Sequence, residues 1–78
     1  MEDEIWWEVY FFSKSAETWI HHIDYKQSFN SKDIDIGYVC AKESADRLSR
    51  RGYPVKIIER TVHRRVAYED LKGVVNDE

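Results

Sequence analysis

The chain has 78 residues, a net charge of −3 and one cysteine, Cys40. A chain of this size hides only about 60–65 % of its unfolded surface, and one thiol without a His/Cys cluster excludes both a disulfide framework and a structural zinc site. The acidic start MEDEIWWE is not a secretory leader, and no apolar run approaches the ~20 residues of a membrane span, so a cytoplasmic protein without membrane contact is expected.

Residues 5–12, IWWEVYFF, read as a strand on β-propensity, with only Glu8 breaking the apolar run. Alternation puts Ile5, Trp7, Val9 and Phe11 on one face and Trp6, Glu8, Tyr10 and Phe12 on the other. Residues 13–17 suit a hairpin loop, and TWIHHIDY, residues 18–25, reads as the returning strand. Residues 26–35 have the Ser/Asn/Asp content of a loop, with Phe29 as the side chain to pin it. IGYVC, residues 36–40, reads as a short strand leading into a helix, or as part of that loop.

AKESADRLSRRG, residues 41–52, is the clearest helix. Cys40 or Ala41, Ala45 and Leu48 form a narrow apolar stripe. Arg47, Arg50 and Arg51 fall late, where they complement the helix dipole, and Gly52 with Pro54 ends the helix. VKII, residues 55–58, begins another strand. Residues 59–71 continue it as one long strand with a bulge, or as two strands bent near His63. Residues 73–78 form a polar tail beyond a single domain over residues 1–72. The fold expected is α+β: an antiparallel sheet of a β-hairpin plus a C-terminal strand or strands, with one helix packed on one face.

A single helix reaches only one side of such a sheet. Ile5, Trp7, Val9 and Phe11 are therefore expected to meet it, with the Trp7 ring fully buried. Trp6, Tyr10 and Phe12 are left for the loop at 26–35 and the C-terminal segment, for a second copy in a homodimer, or for a protein partner.

Catalytic constellations are missing from the pattern. His21 and His22 are adjacent, so a regular strand points them to opposite faces and they cannot share a metal. His21 is expected beside Trp19, Ile23 and Tyr25 as a structural histidine. Cys40 at a strand-to-helix junction would be the one thiol open to activation by a helix N-terminus. Asp33 and Asp35 resemble the start of a calcium loop, but the glycine and closing glutamate do not follow. With three glycines there is no phosphate loop. No enzyme, no cofactor and no metal are expected.

Charge is divided along the chain. Residues 1–40 carry three basic and eight acidic side chains, whereas residues 41–72 carry nine basic and five acidic. Arg47, Arg50, Arg51, Lys56, Arg60, Arg64 and Arg65, interleaved with Tyr53 and Tyr68, form a candidate basic surface of the kind that grips single-stranded nucleic acid. The overall acidity opposes strong phosphate binding.

ESADRLSRRGYPVKIIE, residues 43–59, resembles half of a sporulation-related (SPOR) repeat, matching at Ala45, Leu48, Gly52, Tyr53, Val55 and Ile57. That family binds peptidoglycan with two such halves. This chain has one, so that activity is not carried over. In size and layout the whole chain resembles the short hairpin–helix–strand proteins of phages and mobile elements, some of which inhibit host enzymes or defence systems such as CRISPR nucleases. The resemblance implies a non-enzymatic inhibitor or modulator of a host protein or nucleoprotein, acting in the host cytoplasm. The alternatives are a small nucleic-acid-binding regulator using the basic surface, and a structural subunit that dimerises through its aromatic face.

Overall fold

The computed structural model describes residues 2–64 and 67. Strands β1 (Glu2–Ser13) and β2 (Thr18–Lys26) form a hairpin, helix α1 (Ile36–Arg50) follows, and β3 (Val55–Arg64) closes the sheet. The strand order is β2-β1-β3 with both pairings antiparallel. The helix packs on one face, which is the α+β arrangement expected. The central position of β1 explains its composition: it alone is flanked on both edges, so both of its faces are sheltered by cross-strand neighbours.

β1 begins earlier than its apolar run, because Glu2, Asp3 and Glu4 pair with Arg64, His63 and Val62. β3 shows no bend near His63. It runs in unbroken register from Phe11↔Val55 to Glu2↔Arg64. Most of its expected continuation, with Arg65, Tyr68 and the tail, lies outside the described residues. The irregularity falls in β2 instead, where Val9 pairs with Ile23 and Tyr10 with His21, leaving His22 without a partner on β1.

The helix starts five residues earlier than its clearest sequence pattern, so residues 36–40 are its first turns, neither strand nor loop. Asp35 is the reason. Its side chain accepts from the Tyr38 N–H at 3.2 Å as N-cap, from the Ser28 N–H at 3.1 Å, and from the Trp7 indole at 2.8 Å. Burial pushes this carboxyl up, but the bonds from Ser28, Trp7, Tyr38 and Gln27 outweigh it and hold it below its ordinary value. Cys40 consequently sits inside the helix, half-buried, and not at a junction. At the other end Arg51 caps the helix and Gly52 takes φ 97°. The N–H groups of Gly52 and Tyr53 bond the carbonyls of Ser49 and Leu48, a Schellman closure.

The buried core is small: Val9, Ala41, Ala45 and Leu48, with Trp7, Phe11, Tyr25, Val55 and Ile57 packed around it. Ala41, Ala45 and Leu48 are the expected stripe, and Gly37 and Ser44 extend it. Small residues let the helix lie close to the sheet, and at its first turn the approach is closest. A Cβ on Gly37 would stand 2.1 Å from the Lys26 carbonyl oxygen. Two expectations do not survive. Trp7 is half-buried, because its ring lies at the helix N-terminus against Tyr38, centroids 5.0 Å apart. Ile5 lies beyond the core and pairs with Thr61, while its carbonyl accepts from Gln27.

The loop between β2 and α1 is not pinned by Phe29, which is 59 % exposed. Its order is polar. The Asn30 side chain accepts from the Lys32 and Ile34 N–H groups at 2.8 and 3.0 Å, Asp33 adopts φ 60°, and Phe29 bridges to Asp35.

Gly37→Ala is expected to destabilise the fold by about 1–3 kcal/mol or more, because backbone must move to admit the methyl. Asp35→Ala should cost about 1–3 kcal/mol, combining a lost cap with an indole N–H deprived of its carboxylate. Denaturant melts followed by tryptophan fluorescence measure both. Parent-like midpoints for the pair would contradict this account of the helix start.

Candidate functional site

The face of the sheet opposite α1 brings the candidate aromatic residues together. Cross-strand partners share a face, so the register assembles Glu4, Trp6, Glu8, Tyr10 and Phe12 of β1 with Lys26, Asp24, His21 and Trp19 of β2. From β3 it adds Lys56, Ile58, Arg60, Val62 and Arg64. No element among the described residues packs over this face. The three expected aromatics, Trp6, Tyr10 and Phe12, do share it, and Trp19 joins them.

The Trp6, Tyr10 and Phe12 rings are half-buried because their own sheet shelters them. Phe12 and Trp19 meet edge to face at 5.6 Å, and Tyr10 lies against the His21 ring at 5.0 Å. The Lys56 ammonium stands 4.3 Å from the Trp19 ring centroid and 5.4 Å from that of Tyr10, close enough for cation–π attraction. Trp19 and Ile58 are the most open large apolar side chains here, each 38 % exposed.

The charges between the rings are paired. Glu4, its side chain 13 % exposed, accepts from the Trp6 indole at 3.1 Å and pairs with Lys26 at 3.2 Å and with Arg64. Glu8 accepts from the Tyr10 hydroxyl at 3.1 Å and from Arg60 at 2.6 Å. Arg60 also reaches Asp24 at 4.0 Å, and Asp24 is bonded to His21. These contacts hold the Glu4 carboxyl at about 2, the Trp6 bond first and the Arg64 bond next. The Tyr10 hydroxyl is pushed above its ordinary value by burial and by its bond to Glu8. Isolated exposed pairs stabilise by only about 0.2–1 kcal/mol each. The larger consequence of the network is that Glu4, Glu8 and Asp24 offset Lys26, Arg60 and Arg64, while Lys56 is held over the Trp19 and Tyr10 rings.

The bulge in β2 decides which histidine stands where. In a regular strand His21 would lie with Ile23 and Tyr25, as the alternation predicts. The unpaired His22 shifts the alternation, so His21 faces outward with Trp19 and Asp24, while His22 turns to the helix side, its ring 6.1 Å from Phe11. Glu8, His21 and Asp24 thereby bring ligand atoms within 4.8 Å of one another. Arg60 already supplies positive charge to both carboxylates, so the cluster reads as part of the ion-pair network.

The candidate basic surface does not hold together. Lys56, Arg60 and Arg64 lie on the outer face in the contacts just described, whereas Arg47, Arg50 and Arg51 lie on the helix side of the sheet. Arg65 falls outside the described residues. Tyr53 packs edge to face on Phe11, centroids 5.1 Å apart, and does not interleave with the outer cations. The strand period, applied to residues 55–64, separates the two groups. The acidic partners of the outer cations were harder to find, since they depend on strand order and register.

Compared with models of known protein families, with curated proteins and with solved structures, the chain matches none. No helix among the described residues is long and apolar enough to cross a membrane.

The depressed carboxyl of Glu4 sets a pH dependence with a definite sign. Its folded value, about 2, lies below the ordinary glutamate value of 4.5. Its contribution to stability is therefore full above roughly pH 4.5 and is lost as pH falls toward 2. A carbon-13 NMR titration of the Glu4 carboxyl should show the low midpoint, and Trp6→Phe or Arg64→Gln should raise it. A parent midpoint near 4.5 would contradict the network.

Proposed function

We propose that this protein is a non-catalytic binder of another protein, an inhibitor or modulator of the kind phages encode, acting on a host protein or nucleoprotein in the cytoplasm. The observation that carries this reading is the outer sheet face: an aromatic row whose carboxylates Glu4, Glu8 and Asp24 are each paired with a neighbouring cation, with Lys56 held over the rings. Such a face has little to offer a polyanion. It suits an apolar patch on a partner with few unpaired charges, because aromatic residues anchor protein interfaces while charged groups are depleted at their centres. Trp19 and Ile58 are the exposed anchors, backed by Trp6, Tyr10 and Phe12.

The nucleic-acid reading loses its main support when the basic set is divided between two faces. The outer cations sit in ion pairs or over rings, so gripping phosphates would first require breaking those contacts. The absence of an assembled nucleophile and base in the sequence favours binding over catalysis.

The test is capture of partners from nuclease-treated host lysate by the parent and by the double variant Trp19→Ala/Ile58→Lys. Both substituted side chains are exposed, so the variant should fold. The expected result is a protein retained by the parent and lost, at least tenfold, by the variant. Retention that is equal in both, or that vanishes with nuclease treatment, would overturn the proposal.

A further inference from the structure

Three arginines remain once the outer face is accounted for. Arg47, Arg50 and Arg51 line a groove of about 320 Å³ together with His22, Ser44 and Leu48. Among the described residues no carboxylate lines this groove, and none of the three arginines makes an ion pair. Their position at the end of α1 offsets the helix dipole, but a helix terminus amounts to only about half an elementary charge. Three guanidinium groups exceed it several-fold, so the groove carries surplus positive charge.

Part of the groove is also held in place. Arg47 Nη2 donates to Ser44 Oγ at 3.1 Å, and that hydroxyl is bonded to the Tyr25 hydroxyl at 2.7 Å. Ser44 is 2 % exposed, so this chain of bonds runs from β2 through the buried helix face to the groove. The bulge in β2 brings His22 to the same side. Such anchoring lowers the ordering cost of binding an anion.

We propose that the groove receives carboxylate side chains from an acidic segment of the protein partner, with Arg47, Arg50 and Arg51 as ligating groups. The inference rests on reading the protein as a binder of another protein, and gives it a second partner-facing surface. A planar carboxylate matches the guanidinium fork, two donors to two acceptors. The size of the groove admits a side chain or two. A nucleic-acid strand would need a continuous basic stripe, and here Lys56, Arg60 and Arg64 face the other side of the sheet.

The test is a nitrogen-15 NMR titration of the full chain with a hexaglutamate peptide, run beside one with a six-nucleotide single-stranded DNA. Peptide-induced shifts centred on His22, Ser44, Arg47, Leu48, Arg50 and Arg51 are expected. Arg50→Gln/Arg51→Gln should weaken the peptide at least tenfold while the chain stays folded, since both side chains are exposed and no like charge is placed at the helix C-terminus. Trp19→Ala/Ile58→Lys should leave the peptide shifts unchanged, so failure at the aromatic face is distinguished from failure at the groove. Absence of shifts at the groove would overturn the inference, as would DNA shifting these residues at lower concentration than the peptide.

Discussion

The Asp35 carboxylate ties together three parts of the chain: the helix, the loop before it and the central strand. It caps α1 through Tyr38, holds the loop through Ser28, and accepts a hydrogen bond from the Trp7 indole of the central strand. Because one group makes all three bonds, the start of the helix is fixed relative to the sheet. Gly37, two residues on, then lies against the end of β2, where only a hydrogen fits. From that point the small stripe of Ala41, Ser44 and Ala45 runs along the sheet and Leu48 fills the far end. A core this small needs such a polar anchor, because few apolar side chains are available to specify where the helix sits.

A single helix fixed on one face leaves the other face to solve its own exposure. The sheet does so with aromatics held between ion pairs rather than with a second layer. Trp6 and Tyr10 each donate to a neighbouring carboxylate on their own strand, and those carboxylates in turn hold the cations of the flanking strands. The result is partly sheltered apolar surface with little unbalanced charge. The helix side is different, since its terminal arginines have no such partners among the described residues. The polarity of charge along the sequence thus becomes two surfaces of different chemistry: one aromatic and balanced, one small and cationic.

Much of this was legible in the residues. The hairpin, the helix stripe, the Gly52 terminus and the two faces of IWWEVYFF all follow from local periodicity and turn chemistry, and each stands where the pattern placed it. What local pattern could not supply was anything decided by tertiary contact. The helix start at Ile36 depends on Asp35 as a cap; in sequence Asp35 resembles part of a calcium loop, and residues 36–40 carry β-branched and aromatic side chains that mimic a strand. The fate of Phe29 turned on Asn30 and Asp35 ordering the loop, which removed the need for an apolar pin. The bulge at His22 has no signature in TWIHHIDY, yet it reassigns His21 and His22 to opposite surroundings and completes both candidate surfaces. Proximity in sequence groups these cations, whereas the strand period turns Lys56, Arg60 and Arg64 away from the helix that carries Arg47 and Arg50.

The cations of the sheet are committed to the protein's own carboxylates and rings, and the proposed function rests on recognition of protein rather than nucleic acid. Equilibrium titration of the full chain with single- and double-stranded DNA and RNA, at about 50 and about 200 mM salt, tests it most directly. The account predicts no submicromolar binding at either salt concentration. Submicromolar binding that falls steeply between them, in the manner of several released counterions, would contradict it.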